Sequence, residues 1–312
     1  GARYAILNER GDCIMIYAVI DLGSNTIRMN VYRLRNGKFR LLFSKKATAG
    51  IVSYVKDGRL NREGVCEICS TLESFKKVLA HLQIEQCSVF ATASLRNIDN
   101  TEEVITQVKK KTGMKICLIS GEEEGRLSFR GAAIQLSAED GLFIDIGGGS
   151  TELVRFAEGK AQSSCSLPIG SLNLYNRFVH DIIPTAQERK EISLYVEGAL
   201  LSSEVKPEGK LLAAAGGTAR AVEKLLLRSG ALERKGEAIS LAQLEQLQQQ
   251  LLSGSDAAHM ILRCKPDRIH TLIPGFLILK GVMQHFGCEQ LKVCRNGIRE
   301  GYLMEITGVM PQ

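Results

Sequence analysis

The sequence predicts an α/β protein of two domains, each opening on an antiparallel meander of strands. Three observations carry that reading. The 312 residues suffice for about two domains of ordinary size. One pattern (a short apolar strand, an Asp, a glycine-bearing turn, a second apolar strand) occurs around Asp21 and again around Asp145, a separation too long for a solenoid repeat. After each occurrence, stretches of helical periodicity alternate with short apolar runs.

The first copy is Tyr17–Leu34, YAVIDLGSNTIRMNVYRL, and the second is Leu142–Phe156, LFIDIGGGSTELVRF. Asn36-Gly37 and Glu158-Gly159 follow as hairpin turns, the first a strong signal and the second a weaker one. Residues 38–44 and 160–166 complete the meanders. In the first half a helix over 61–82 is capped by Asn61, with a strand at 87–91, a helix at 101–112 and a strand at 115–119. Ser120 and Glu123 have capping-box spacing and open a helix to about residue 136. In the second half Thr185/Glu188 and Ser240/Gln243 open further helices, 210–214 is a strand, and 218–229 and 274–286 are helices. The glutamine-rich stretch 243–250 keeps leucines at 244, 247 and 251, which makes it a helix. The division expected is 15–138 for domain I, 139–296 for domain II, and a C-terminal helix in 297–312 packing back on domain I. Residues 1–14 carry no pattern and are set aside as an extension or cloning scar.

Composition narrows the function. No apolar run approaches the roughly 18 residues of a membrane span, and the N-terminus lacks a signal-peptide layout, so a cytoplasmic protein is expected. Forty basic against 34 acidic residues give a formal charge of +6, which suits an anionic ligand and equally a solvated surface. There is no tryptophan and no basic run interleaved with aromatics, so no nucleic-acid partner is expected. Cys66 and Cys69 form a CxxC without a second pair to complete a zinc set. They sit in a helical pattern with Val65, Ile68, Leu72 and Phe75, where packing explains Cys69.

The turns carry the chemistry. In Ile144–Glu152, IDIGGGSTE, Gly147, Gly148 and Gly149 let the backbone approach a phosphate, their N–H groups can meet its oxygens, and Ser150 adds a hydroxyl. Asp145 and Glu152 are acids able to hold a metal directly or through water. A plain glycine turn with hairpin acids is the competing reading; duplication favours phosphate. In Ile20–Asn25, IDLGSN, Asp21 would face a metal or the attacking water, and Gly23, Ser24, Asn25 and Thr26 would contact phosphate. Two such loops facing one another across a cleft suit a ligand with several phosphates.

With AVIDLGSNTIRMNVYRL, FATASLRN, ISGEEEGRLSFRGA, LFIDIGGGSTELV, LPIGSLNL, AAAGGTARA, LIPGFLIL and GIREGYL in this order over residues 17–305, the chain resembles the exopolyphosphatase / guanosine pentaphosphate phosphohydrolase (Ppx/GppA) family. The resemblance implies a two-domain actin-like fold of the sugar kinase/Hsp70/actin type with a cleft between duplicated ribonuclease H-like domains. It also implies magnesium-dependent release of terminal phosphate from polyphosphate or guanosine pentaphosphate, and a possible homodimer. Glu124 matches the catalytic acid of such proteins, the last of Glu122, Glu123 and Glu124. Successive helical residues point about 100° apart, so the three cannot share one target, and first-turn acids also complement the helix dipole. The catalytic set is then Glu124, Asp145 and Glu152, with Asp145 and Glu152 as the metal-holding acids. Arg96 is the side-chain candidate for a phosphate contact, with Thr92 and Ser94 as hydroxyl donors beside it. Gly216, Gly217 and Thr218 form a strand-to-helix turn that would face the same cleft, Thr218 serving otherwise as a helix cap. Two positions depart from the common pattern: Gly125 stands where alanine is frequent, and Asn296 where aspartate is frequent. The rival readings are a non-catalytic sensor of guanosine tetraphosphate and an ATP-dependent kinase of the same superfold.

Overall fold

The computed structural model describes residues 6–7, 13–136, 139–205, 209–252 and 255–312. Contacts divide the chain into two units: Gly1–Ser120 with Arg299–Gln312, and Gly121–Ile298.

The first unit begins with β1 (Ile6–Leu7), β2 (Cys13–Leu22), β3 (Thr26–Arg35) and β4 (Lys38–Thr48). A ribbon of β5 (Val55–Lys56) and β6 (Arg59–Leu60) follows, then α1 (Arg62–His81), β7 (Gln86–Ala91), the one-turn α2 (Ala93–Arg96), α3 (Thr101–Thr112) and β8 (Ile116–Leu118). The sheet order is β4–β3–β2–β7–β8, antiparallel as far as β2 and parallel beyond it. The sequence explains the pairing. Asn36 and Gly37 have φ of 52° and 71°, the two left-handed residues that a tight hairpin turn between right-twisted strands requires. Ala18, Ile20, Leu22, Met29 and Val31 are buried against Val65, Ile68, Leu72 and Phe75 of α1, whose Asn61 cap accepts from the Gly64 N–H at 2.9 Å. Of the segment set aside at the N-terminus, residues 1–5 and 8–12 lie outside the described residues, while Ile6 and Leu7 pair with Ile14 and Cys13.

The second unit runs α4 (Gly121–Ala132), β9 (Gly141–Ile146), β10 (Thr151–Ala157), β11 (Lys160–Leu167), α5 (Ser171–Phe178), α6 (Ala186–Leu201), β12 (Leu211–Ala215) and α7 (Gly216–Arg228). It continues with β13 (Ile239–Ser240), α8 (Leu241–Leu252), α9 (Ser255–Cys264), α10 (Leu272–His285) and β14 (Gln290–Val293). Its order, β11–β10–β9–β12–β14–β13, repeats the first sheet's plan of a three-strand meander followed by two parallel strands, with the short β13 added antiparallel at the edge. Glu158 and Gly159, at φ of 51° and 69°, make the same turn as Asn36-Gly37. Each meander also has an irregularity between its second and third strands, at Val31/Tyr32 and at Arg155/Phe156. Two units of this ribonuclease H-like order make the chain a two-domain actin-like α/β protein.

Three features differ from the sequence-based expectation. The boundary expected at residue 138, which itself lies outside the described residues, falls at 120/121 because Phe129, Ala132 and Leu136 bury against Phe143, Val154 and Phe156 of the second sheet. The helix expected at 218–229 starts at Gly216, and the one expected at 274–286 starts at Leu272, which leaves Pro274 in the first turn, where its missing N–H costs no bond. The last elements, α11 (Ile298–Thr307) and β15 (Met310–Pro311), belong with the first unit, β15 running parallel to β4. Among the described residues no helix is long and apolar enough to cross a membrane.

Candidate active site

In the second unit the site begins at a cross-strand pair. Asp145 on β9 lies directly opposite Glu152 on β10, so both side chains project from one face of the sheet. Between them the turn closes with Gly147 N–H donating to Ser150 O at 2.9 Å. The start of α5 then grips the turn's carbonyls: Ser171 N–H donates to Gly147 O at 2.9 Å, Leu172 and Asn173 N–H to Gly148 O at 3.0 Å, and the Asn173 side-chain amide to Gly149 O at 2.7 Å. In a trans peptide the N–H points opposite to the C=O. The amides of Gly148, Gly149 and Ser150 are therefore turned away from α5, a concavity of backbone dipoles of the kind that can receive an anion. Gly170 makes this possible, since a Cβ there would sit 2.3 Å from Gly148 O. Gly170, Ser171 and Asn173 belong to the LPIGSLNL stretch, and the sequence alone assigned them no role.

Glu152 is almost completely buried, its Oε1 accepting from Ser150 Oγ at 2.7 Å and Ser166 Oγ at 3.0 Å. Its carboxyl is held well above the usual carboxylate range. Burial is the main cause, the charges of Glu124 and Asp145 add to it, and the two serine hydrogen bonds act in the other direction. Glu124 comes from the first turn of α4, and of the three successive glutamates it is the buried one. The first turn of α4 lies close on the sheet: a Cβ at Gly125 would be 3.3 Å from Val154 Cγ2 and 3.5 Å from Glu152 Cβ. Asp145 accepts a short hydrogen bond from Ser128 of the same helix. A Cβ at Gly216 would meet its Oδ1 at 2.5 Å, so the N-terminus of α7 lies against this carboxylate, where the helix dipole favours negative charge.

The first unit holds a matching turn with different electrostatics. Gly23 N–H donates to Thr26 O at 3.1 Å, as Gly147 does to Ser150, and the carbonyls of Ser24 and Asn25 accept from Val52, Ala49 and Gly50 at 2.9–3.1 Å. The N–H groups of Asn25 and Thr26 are again turned the other way. The residue opposite Asp21, however, is Arg28, where the second copy has Glu152. Asp21 also accepts from Nη1 of Arg299 at 2.8 Å. Burial opposes the Arg299 charge, yet Asp21 and Glu300 hold its pKa above the ordinary arginine value. Glu300 in turn accepts from the Tyr32 hydroxyl at 2.5 Å. Asp21, expected to face a metal or water, thus carries arginine compensation.

The remaining candidates divide. Arg96, half-buried at the end of α2, donates to Ile119 O at 3.0 Å. Thr92 is buried at the head of that helix, and the Ser94 hydroxyl is used on Leu22 O, bracing the first loop instead of offering a donor to a ligand. Gly217 lies directly under the Arg268 guanidinium, whose Nη2 would be 1.6 Å from an added Cβ; Arg268 had no signal in the sequence. Thr218 does not act as a cap: Ala215 holds that place, and Thr218 is fully buried against Gly275 of α10 with its Oγ1 unpartnered. Cβ contact with solvent or ligand is therefore closed to it in this packing.

A model of the Ppx/GppA phosphatase family matches residues 30–309. The chain belongs to that family. Among solved structures, the Aquifex aeolicus family member is 25% identical, with a TM-score of 0.77 over 94% of this chain and 97% of that one. An exopolyphosphatase from Cytophaga hutchinsonii superposes with a TM-score of 0.82 at 21% identity, covering 95% and 99%. Nucleoside triphosphate hydrolases from Neospora caninum share the fold at 12% identity and a TM-score of 0.55, over 94% and 92%.

Family membership makes this a phosphatase, and the second unit shows which groups are available to one. Three carboxylates, Glu124, Asp145 and Glu152, interact electrostatically beside a turn of outward-facing amides. Among the described residues no group of three or more His, Cys, Asp or Glu side chains is placed to hold a metal ion. A pair of carboxylates, with water completing the shell, is donor chemistry that suits a small hard cation.

Proposed function

We propose that the protein is an exopolyphosphatase-type phosphohydrolase that releases terminal phosphate from inorganic polyphosphate, guanosine pentaphosphate or both. The observation that carries the reading is the placement of Glu124. It is buried, it arrives from a helix seated on the strand that bears Glu152, and its charge is felt by that carboxyl. Glu124 is the general base: it orients a water and takes its proton as the water oxygen bonds the terminal phosphorus and the bridging P–O bond breaks. The chain leaves one phosphate shorter, or guanosine tetraphosphate leaves as the product. The amides of Gly148, Gly149 and Ser150 receive phosphate oxygens, and the turn of Gly23, Ser24, Asn25 and Thr26 serves the same chemistry in its own unit. Arg96 and the Gly216-Gly217 turn supply further anion contacts.

Asp145 and Glu152 would hold Mg²⁺, which supplies the countercharge that a polyphosphate beside carboxylates requires. Two like charges 4 Å apart repel by about 4 kcal/mol at an effective dielectric of 20, so this compensation decides whether substrate can bind. Exposed free thiols at Cys66 and Cys117 fit a reducing cytoplasmic setting.

The test is phosphate release from long polyphosphate, tripolyphosphate and guanosine pentaphosphate, with and without Mg²⁺. Metal-dependent release, ranked among the three, is the expected result. Binding of guanosine tetraphosphate with no release from any of them would replace the enzyme by a sensor, and phosphate transfer from ATP to an acceptor would replace it by a kinase.

A further inference from the structure

Ser128 follows Glu124 by four residues on α4, and residues at that spacing share one face of a helix. Both side chains are buried, Ser128 completely. A Cβ at Gly125, between them in the chain, would stand 3.5 Å from Glu152 Cβ, so this face is seated on the strands that bear the acids. A serine inside a helix commonly turns its hydroxyl back to the carbonyl four residues earlier. The Ser128 hydroxyl instead donates to Asp145 Oδ2, across the helix–sheet interface. A serine has a single O–H to give, and here it is committed to the acid.

The surroundings enclose that bond. A Cβ at Gly297 would lie 3.5 Å from Ser128 Oγ and 3.9 Å from Asp145 Oδ2. The other carboxylate oxygen, Oδ1, lies against the N-terminus of α7, 2.5 Å from where a Gly216 Cβ would stand. Asp145 is thus met at Oδ2 by α4 and at Oδ1 by α7, which fixes the plane of its carboxylate. A carboxylate offers about four lone-pair directions, so one hydroxyl bond does not exhaust its capacity. The first unit also ties its Asp to a helix, with a different donor: Arg299 of α11 donates to Asp21 Oδ2 at 2.8 Å. A guanidinium orients an acid and brings a countercharge. A hydroxyl orients it and brings none.

We propose that Ser128 is a positioning residue for the reaction: its hydroxyl sets the Asp145 carboxylate relative to the helix that carries Glu124, so that the base and the metal-holding acid are held as one unit. The proposal rests on the phosphohydrolase reading above. Ser128 acts through Asp145, and groups that orient metal-holding acids in this way contribute about 10–100-fold in affinity or activity.

The test is Mg²⁺ binding by isothermal titration calorimetry, with kcat and KM on long polyphosphate and thermal melting, for wild type, Ser128→Ala, Ser128→Thr and Phe129→Leu. Ser128→Ala should raise the Mg²⁺ Kd about tenfold or more and lower kcat, with KM for the chain near the wild-type value. Ser128→Thr keeps the donor and should bind Mg²⁺ nearly as wild type does. Phe129→Leu loosens the same helix from Phe143 and Phe156, so it should lower the melting temperature and leave the Mg²⁺ Kd unchanged. A wild-type Mg²⁺ Kd in Ser128→Ala, or an equal rise in Phe129→Leu, would overturn the proposal. So would a threonine variant that melts at the wild-type temperature yet binds Mg²⁺ no better than the alanine variant. If wild type releases phosphate from no substrate, the functional reading fails separately, and calorimetry alone decides: weaker binding by Ser128→Ala retains the positioning of Asp145, and equal binding overturns it. A wild type that binds no Mg²⁺ would overturn it as well, since Asp145 would then hold no cation.

Discussion

Asp145 and Glu152 stand directly opposite each other on β9 and β10, and the same register in the first unit sets Asp21 opposite Arg28. A duplicated turn has thus acquired opposite electrostatics in its two copies. One gathers carboxylates around a ring of amides. The other balances its single acid with arginine, through Arg299 at 2.8 Å. Under the proposed function, the cation and the attacking water are assigned to the second copy.

Glu124→Gln should lower kcat for phosphate release by about 100-fold or more, the usual worth of a general base, while substrate binding is kept. Rapid-quench phosphate assays with parallel equilibrium binding measure both. Turnover near the wild-type rate would remove Glu124 from the role of base.

Adding Mg²⁺ should raise the melting temperature of the wild type, since a bound cation offsets the burial and the neighbouring negative charges that push up Glu152. Binding to the native state alone stabilises by about 2.7 kcal/mol at a hundred times Kd. The increment should shrink in Asp145→Asn and Glu152→Gln. An identical shift in all three proteins would mean that these acids hold no metal.

Gly170→Ala places a methyl 2.3 Å from Gly148 O, which forces the α5 N-terminus away from the turn. Activity should fall by about 100-fold, as for an ångström-scale misplacement of reacting groups, with a smaller change in melting temperature. Unaltered kcat would show that the turn does not depend on its grip by α5.

Arg299→Ala removes the Arg299 guanidinium from its ion pair with the largely buried Asp21. Loss of one member of a buried pair costs roughly 3 kcal/mol, read as a lower denaturation midpoint. Asp21→Asn in the same background should recover part of the loss, because it removes the charge that Arg299 compensates. A double mutant no more stable than Arg299→Ala would show that the pair is not coupled.

Glu188 supplies a pH dependence. Its carboxyl is depressed to about 2, chiefly by the hydrogen bond from His180 and by the Thr185 backbone N–H in the α6 capping box. A depressed carboxylate contributes stability that is present above its unfolded pKa, near 4.3, and lost as pH falls toward the folded value. Stability should therefore decline between about pH 4 and 2, and Glu188→Gln should flatten that limb of a pH-dependent urea titration. A wild-type-like acid limb in the variant would assign the decline to other groups.

Much of the fold was legible in the sequence because its signals are local. Period-two strands, the Asn36-Gly37 turn, the Asn61 cap and the Thr185/Glu188 box are decided by residues a few positions apart, and the duplication of the Asp–Gly turn announced two similar sheets. The boundary was misplaced because helix α4 carries no mark of which sheet its apolar face will cover; Phe129 and Ala132 settle that only on meeting Phe143 and Val154. Likewise Thr218 has the composition of a cap, and only the packing of Gly275 against it shows that it is enclosed.

By itself the sequence determined the strand–turn–strand units, the oxygen-rich acids and glycines available to each, and the helices that follow. Only the tertiary structure decided that Glu124 is the buried member of its run and that its charge acts on Glu152, that Asp21 is compensated by Arg299, and that α5 turns the amides of the glycine loop outward. Each of these joins residues far apart in the chain through burial, charge or peptide orientation, and such contacts have no periodicity for a sequence to display.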